Sequence, residues 1–218
     1  MQLSLNLQPP PDFRREDFIV SPSNALAVRM IDAWPAWPGG ALALVGPPGV
    51  GKSHLASVWR ERAGAEQVAA AAGVPLLGGR PVLLEVDETP LDDEAMFHLI
   101  NLAARPSGGL LIVTRTPPRL WPASLPDLKS RLNALPTVEI GEPDDALLCE
   151  LLVQLFARRG IRAPADLVTY MAARMERSAR AAEALVALID ETASRSGRPI
   201  GRTLAREILA TDDEAGEG

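Results

Sequence analysis

An apolar run, Ala41 to Val45, leads into Gly46-Pro47-Pro48-Gly49-Val50-Gly51-Lys52-Ser53, with His54 and a helix-forming stretch following. This fits the spacing G-x-x-x-x-G-K-[ST] at every fixed position, with a strand before it and a helix after it as the motif requires. The glycines let backbone N–H groups converge on an anion, and the helix beginning near Gly51 offers its positive N-terminus to the same oxygens. The pattern predicts a phosphate loop in which Lys52 reaches the β and γ phosphates of a nucleotide and Ser53 meets Mg²⁺. Basic-residue usage points the same way. The chain holds only two lysines, Lys52 and Lys129, against a background of arginine, so Lys52 reads as a compact point charge that arginine cannot replace. The competing reading is a glycine-rich turn before a helix.

With 218 residues and 47% hydrophobic content the chain can bury a core of one medium domain plus a small satellite. No apolar stretch approaches membrane-spanning length and no basic, then apolar, leader opens the chain, so a cytoplasmic protein with no membrane partner is expected. A single cysteine, Cys149, excludes an internal disulfide and a multi-cysteine zinc site, and reads as a small apolar residue on a helix. A net charge of −6 argues against a nucleic-acid footprint over the whole surface; a local arginine patch stays open, and sequence-specific DNA binding is not expected.

Along the chain, Pro9-Pro10-Pro11 separates residues 1–7 from the rest and stiffens the connection. Ser21, Ser23 and Asn24 are placed to cap a helix carrying Leu26, Ala27, Met30 and Ile31. Trp34 and Trp37 read as loop anchors packed on the core. Short apolar runs recur at Val82 to Val86, Leu110 to Thr114 and Thr137 to Ile140, separated by helical or loop segments; Glu66 to Ala71 is either a further strand or a helix. Strands alternating with helices predict an α/β fold with a mainly parallel, five-stranded sheet. From Pro143 onward only helices are expected: Asp144 to Arg159, Pro164 to Arg174, Ser178 to Ser196 and Arg202 to Ala210, then a disordered acidic tail. The expected division is a tethered peptide and linker (1–11), a nucleotide-binding core (12–142), a helical lid (143–211) and the tail (212–218).

A phosphate-loop core with a helical lid resembles the AAA+ ATPases. Gly49 to Leu55, GVGKSHL, is similar to GLGKTHL of the replication initiator DnaA, and Asp17 to Ala27, DFIVSPSNALA, resembles that family's FVVGPSNRLA segment. Leu125 to Leu132, LPDLKSRL, resembles LPDLASRL of the DnaA-related regulators of the Hda family, as does Gln2 to Leu7, QLSLNL, to their N-terminal clamp-binding peptide. The alphaproteobacterial form of that family is the nearest in pattern.

The resemblance implies ADP or ATP with Mg²⁺ as ligands. It sets Phe18, Ile19 and Asn24 against adenine, and Gly46, Pro47, Pro48, Gly49, Val50, Gly51, Lys52, Ser53 and His54 around the phosphates. Asp87 joins Ser53 on the Mg²⁺ side and Glu88 becomes a candidate water-activating base, unless Glu85 ends the strand early and shifts the register so that Val86 takes the metal position. Thr114 takes the first sensor position and Arg180 the second, with Arg177 one turn away as the alternative. Arg131 would be an arginine finger acting on a neighbouring subunit's nucleotide. Gln2, Leu3, Leu5 and Leu7 would enter a pocket of the DNA polymerase sliding clamp (β subunit), an extended peptide being read by alternate side chains.

Together these imply a negative regulator of replication initiation that stimulates hydrolysis of DnaA-bound ATP, with DnaA and the clamp as partners and room for a homo-oligomer. The short separation between Lys52 and Asp87 places intrinsic hydrolysis in doubt. The expected absence of a helix-turn-helix module beyond the lid points the same way. The alternative is a self-sufficient AAA+ ATPase such as a helicase loader; a small kinase would need an acceptor motif, and none is visible.

Overall fold

β1 (Ala41–Val45) is apolar at every position and buried at every position, the signature of a parallel strand covered on both faces. It pairs in parallel with β4 (Leu110–Thr114) on one side and β5 (Thr137–Glu139) on the other, and β4 pairs in turn with β3 (Val82–Val86). The computed structural model describes residues 13–69, 79–86 and 92–215. Among these the sheet has five parallel strands in the order β2-β3-β4-β1-β5. β2 (Glu66–Ala69) settles the open reading of Glu66 to Ala71 in favour of a strand.

Alternation along the strands divides the interior into two cores. Ala41, Ala43 and Val45 face the side covered by α3 (Asp93–Ala103) and α4 (Pro126–Ala134), where Met96, Leu99, Leu128 and Leu132 are buried. Leu42 and Leu44 face the side covered by α1 (Ala25–Asp32) and α2 (Lys52–Ala63), packing on Ile31, Leu55 and Trp59. Trp37 stacks on Trp59 with ring centroids 5.3 Å apart and donates Nε1–H to Met30 O, so the loop-anchor reading of Trp37 holds. Because β1 lies between β4 and β5, the crevice beyond its C-terminal end is the ligand position expected of an open α/β sheet.

The expected cap of α1 does not form. Asn24 stands at the N-cap position, but its Oδ1 accepts from Ser21 N (2.9 Å) and its Nδ2 donates to Ile19 O (2.9 Å), so its side chain fastens the preceding loop instead. With Oδ1 and Nδ2 both directed at the loop, the amide is turned away from the first backbone N–H groups of the helix.

Beyond β5 come α5 (Asp145–Arg158), α6 (Ala165–Ala172), α7 (Ala179–Ser196) and α8 (Arg202–Ala215). They close on a separate core built from Leu148, Leu152, Phe156, Met171, Leu185 and Ile189. Asp144 and Ser178 cap α5 and α7 by accepting from Leu147 N (2.7 Å) and Ala181 N (3.1 Å). The backbone of α8 continues to Ala215, past the expected stop at Ala210. Cys149 lies half-buried on α5; burial, then the nearby Asp145 carboxylate, pushes its thiol pKa up, as fits an unreactive apolar residue.

Candidate functional site

The loop from Gly46 to Gly51 links β1 to α2, and all three of its glycines are forced; a Cβ on Gly46 would stand 2.4 Å from Ile140 O. Gly49 (φ +76°) lies so close to the lid that a Cβ there would stand 2.7 Å from Ser178 Cβ. Gly51 (φ +99°) would set one 3.2 Å from the Phe18 ring. The backbone ladder of α2 starts with Leu55 N–H donating to Gly51 O (3.1 Å), so the amides ahead of it have no intrahelical carbonyl. Lys52 Nζ donates to Gly46 O (2.7 Å) and Pro47 O (2.6 Å), which holds the ammonium within the curve of the loop. Ser53 is exposed on the first turn of α2.

One cleft beside this loop is lined by Phe18, Ile19, Asn24, Val50, Gly51 and His54 from the core, all residues expected from the sequence. Its other wall belongs to the lid: Pro143, Leu147, Leu151 and Ala179. A second cleft brings Gly49, Lys52, Ser53 and His54 together with Arg180, and with Phe13 and Asp17, which the sequence did not single out. Residues Phe13 to Phe18 run across both openings. His54 Nε2 bonds Arg14 O (2.8 Å) and its ring meets those of Phe13 (4.9 Å) and Phe18 (5.2 Å). Asp17 pairs with Arg158 of the lid at 2.8 Å.

The lid also touches the loop directly: Ala179 N–H, at the start of α7, donates to Gly49 O (2.8 Å). Of the two candidate lid arginines, Arg177 is engaged elsewhere. Its Nε and Nη2 donate to Pro143 O (3.0 and 2.7 Å) and its Nη1 to Asp145 (2.7 Å). Arg180 is exposed and lines the cleft that holds Lys52.

Thr114 is buried at the end of β4, in register with both Val45 and Val86, and so stands at the strand ends beside the loop. Its hydroxyl donates to Thr116 O (3.1 Å) and accepts from Thr116 N (3.2 Å). With its one proton engaged, the hydroxyl has none to offer a phosphate in this arrangement. β3 extends through Val86, so Glu85 does not end the strand; instead its carboxylate accepts from Gln67, whose amide oxygen is held by Arg60. Asp87 and Glu88 follow directly and lie outside the described residues, as do Gln2, Leu3, Leu5 and Leu7. Between β2 and β3, residues 70–78, where a trimmed element is expected, lie outside the described residues.

Arg131 is exposed on α4, and its guanidinium rests over the Phe97 ring of α3, 4.8 Å from the centroid. It lines neither cleft. Asp93 of α3 grips the start of the same helix, its Oδ2 accepting from Ser124 N (2.6 Å) and Leu125 N (2.9 Å). Among the described residues no cluster of three or more metal-ligating side chains occurs, and no helix is long and apolar enough to cross a membrane.

No protein-family model matches the chain. In sequence it is 27% identical to the chromosomal replication initiator protein DnaA of Thermomicrobium roseum, over 97% of this chain and 53% of that protein, so it spans about half the length of this curated relative. In structure it is similar to domain III of the Thermotoga maritima replication initiation protein DnaA (TM-score 0.75, 16% identity, 94% of this chain and 98% of that one). It is also similar to AMPPCP-bound DnaA from Aquifex aeolicus (TM-score 0.72, 16% identity, 94% and 71%). The Thermotoga maritima RuvB branch migration motor shares the fold more distantly (TM-score 0.65, 17% identity, 86% and 66%). With its phosphate-loop geometry, its 2-3-4-1-5 sheet and its four-helix lid, the chain is DnaA-like in sequence and carries the AAA+ fold of DnaA domain III.

Proposed function

We propose that this chain binds an adenine nucleotide between phosphate loop and lid, and acts as a regulator that triggers hydrolysis of ATP bound to DnaA. Nucleotide binding is supported by the convergence of Lys52, the amides ahead of α2, and Arg180 on one cleft. Two DnaA structures similar in fold hold AMPPCP. In this reading Ser53, exposed on the first turn of α2, and Asp87, the residue that follows β3 in sequence, would hold a magnesium ion. Bound there, Mg²⁺ would neutralise phosphate charge.

The observation that carries the regulatory reading is Arg131. An arginine exposed on α4, backed by an aromatic ring and outside its own chain's cleft, is suited to enter the site of another subunit. A guanidinium spreads its charge over phosphate oxygens with a planar fork, and fingers of this kind raise hydrolysis by roughly 10³ to 10⁵. The partner in this reading is DnaA, and residues 2–7 tether the chain to the sliding clamp. Cytoplasmic localisation belongs to the same reading.

The test is hydrolysis of DnaA-bound ATP with DNA-loaded clamp present. Arg131→Ala is expected to abolish stimulation while leaving ADP affinity and clamp capture unchanged, and Arg131→Lys to restore it only in part. Normal stimulation by the alanine variant would remove the mechanism. Steady-state turnover of ATP by the purified chain alone, faster than its stimulation of DnaA, would favour a self-sufficient motor instead.

A further inference from the structure

Phe13 to Phe18 form one stiff piece rooted at one end. Their single helical turn, Arg15–Asp17, is closed by Asp17 N–H donating to Arg14 O (3.1 Å) and Phe18 N–H to Arg15 O (3.2 Å). Phe18 is buried in the core with Ile31 and Leu55, whereas Arg14, Arg15 and Glu16 are exposed. A turn that keeps its own hydrogen bonds and is fixed by one buried ring moves as a unit about that ring.

Ahead of Phe18 the piece is held down by ties to three different helices. Arg14 O bonds His54 Nε2 of α2 (2.8 Å), on whose ring Phe13 also rests. Arg15 pairs with Asp32 at the end of α1 (3.3 Å), and Asp17 with Arg158 of α5 in the lid (2.8 Å). The side chains of both ion pairs are partly exposed, so each pair is weak and readily exchanged for water. Asp17 lines the cleft that holds Lys52 and Arg180, where a carboxylate repels phosphate oxygens rather than binding them, and its Oδ1 faces Arg158 instead. Its role there is toward the lid, not toward an anion.

We propose that this segment is a gate on nucleotide exchange, pivoting at Phe18 and latched to the lid by the pair Asp17–Arg158. The proposal rests on the nucleotide reading above and adds to it the step that sets how fast the ligand enters and leaves. The segment crosses both openings as it lies, so passage in either direction requires it to lift. Its latch joins it to α5 rather than to the phosphate loop, which makes gate and lid release together. Arg158 has a rival role, because it lines the same cleft and could touch a phosphate directly. The two roles differ in their effect on entry. Loss of a latch speeds entry and release alike, whereas loss of a cation contact speeds release and leaves entry unchanged or slower.

The experiment follows N-methylanthraniloyl-ADP on the full chain by stopped-flow fluorescence, with entry read on mixing and release read on chasing with excess ADP. Arg158→Ala should raise both rate constants about two- to fivefold, the range that one exposed ion pair supports, with the melting midpoint unchanged. Asp17→Arg/Arg158→Asp rebuilds the pair in reverse and should bring both rates back toward wild type. Should that chain fail to fold, Arg15→Glu takes its place: it sets a like charge against Asp32, lines neither cleft, and should raise both rates without touching the ligand. Exchange by Arg158→Ala at wild-type rates overturns the gate, as does release that rises without entry. So does a folded reversed pair that exchanges like Arg158→Ala, or, in its place, an Arg15→Glu chain that exchanges like wild type. These failures leave the nucleotide reading standing; absence of ADP binding by wild type in calorimetry removes that reading and the gate with it.

Discussion

Substituting Gly49 by alanine tests how the lid is joined to the phosphate loop. The backbone there has φ +76°, a region that costs an L-residue roughly 1–2 kcal/mol. The new Cβ would sit 2.7 Å from Ser178 Cβ and 3.1 Å from its Oγ, and forcing a methyl group into packed surroundings typically costs about 1–3 kcal/mol. If α7 lifts away to relieve the clash, the bond from Ala179 N–H to Gly49 O is forfeited, about 1 kcal/mol more. A combined penalty of about 3 kcal/mol is therefore expected, equivalent to roughly 150-fold in ADP affinity if it falls on lid closure. Calorimetric titration with ADP, alongside urea denaturation, divides the penalty between binding and folding. Gly197→Ala is the control, because Gly197 has φ +65° with nothing within 4 Å of a new Cβ, and should lose only about 1 kcal/mol of stability with ADP affinity intact. Were Gly49→Ala to bind ADP and unfold like wild type, the contact between loop and lid would not be a closed packing.

Three further outcomes follow from the same geometry. Lys52→Ala should weaken ADP by more than about tenfold in calorimetry, since charge-assisted contacts of roughly 1.5–3 kcal/mol each are lost, with little change in thermal midpoint. Arg180→Ala should raise the Kd for ATP without altering the melting curve, whereas Arg177→Ala should lower the midpoint, because its bonds to Pro143 O and Asp145 tie the turn before α7 to the start of the lid. Phe156→Ala, at a fully buried position of the lid core, should cost about 3–5 kcal/mol by urea denaturation.

The parts of the molecule legible in the sequence are those whose signal is contiguous. Ala41 to Ser53 carries strand, loop and helix start in one run, and β4 and β3, the latter broken only by Glu85, are apolar stretches that read as buried strands. β2 was ambiguous because Glu66-Gln67-Val68-Ala69 has little apolar character; it is a strand through its pairing with β3 and through the Arg60–Gln67–Glu85 chain, neither of which a local pattern reveals. The absent side-chain cap on α1 has the same origin, since the partners that claim Asn24 come from the loop's path in space. At the site, Leu147 and Leu151 look like ordinary core positions of an amphipathic helix, and only the approach of the lid turns them toward the cleft. Asp17 and Arg158 meet across most of the chain, beyond the reach of any motif. The choice between Arg177 and Arg180 was likewise invisible, because it depends on the Pro143 carbonyl lying beside the former.

The sheet domain and the lid each keep their own buried cluster, and among the described residues none of the three clusters spans the boundary. Polar ties across the boundary include Ala179 to Gly49 and Asp17 to Arg158. At about 1 kcal/mol each, these two sum to about 2 kcal/mol, below the roughly 5–15 kcal/mol that typically separates a folded domain from its unfolded chain. The lid can therefore swing as an intact body while both hydrophobic interiors stay closed. Entry and exit of a ligand at the cleft then become a hinge event on the microsecond-to-millisecond scale rather than a partial unfolding.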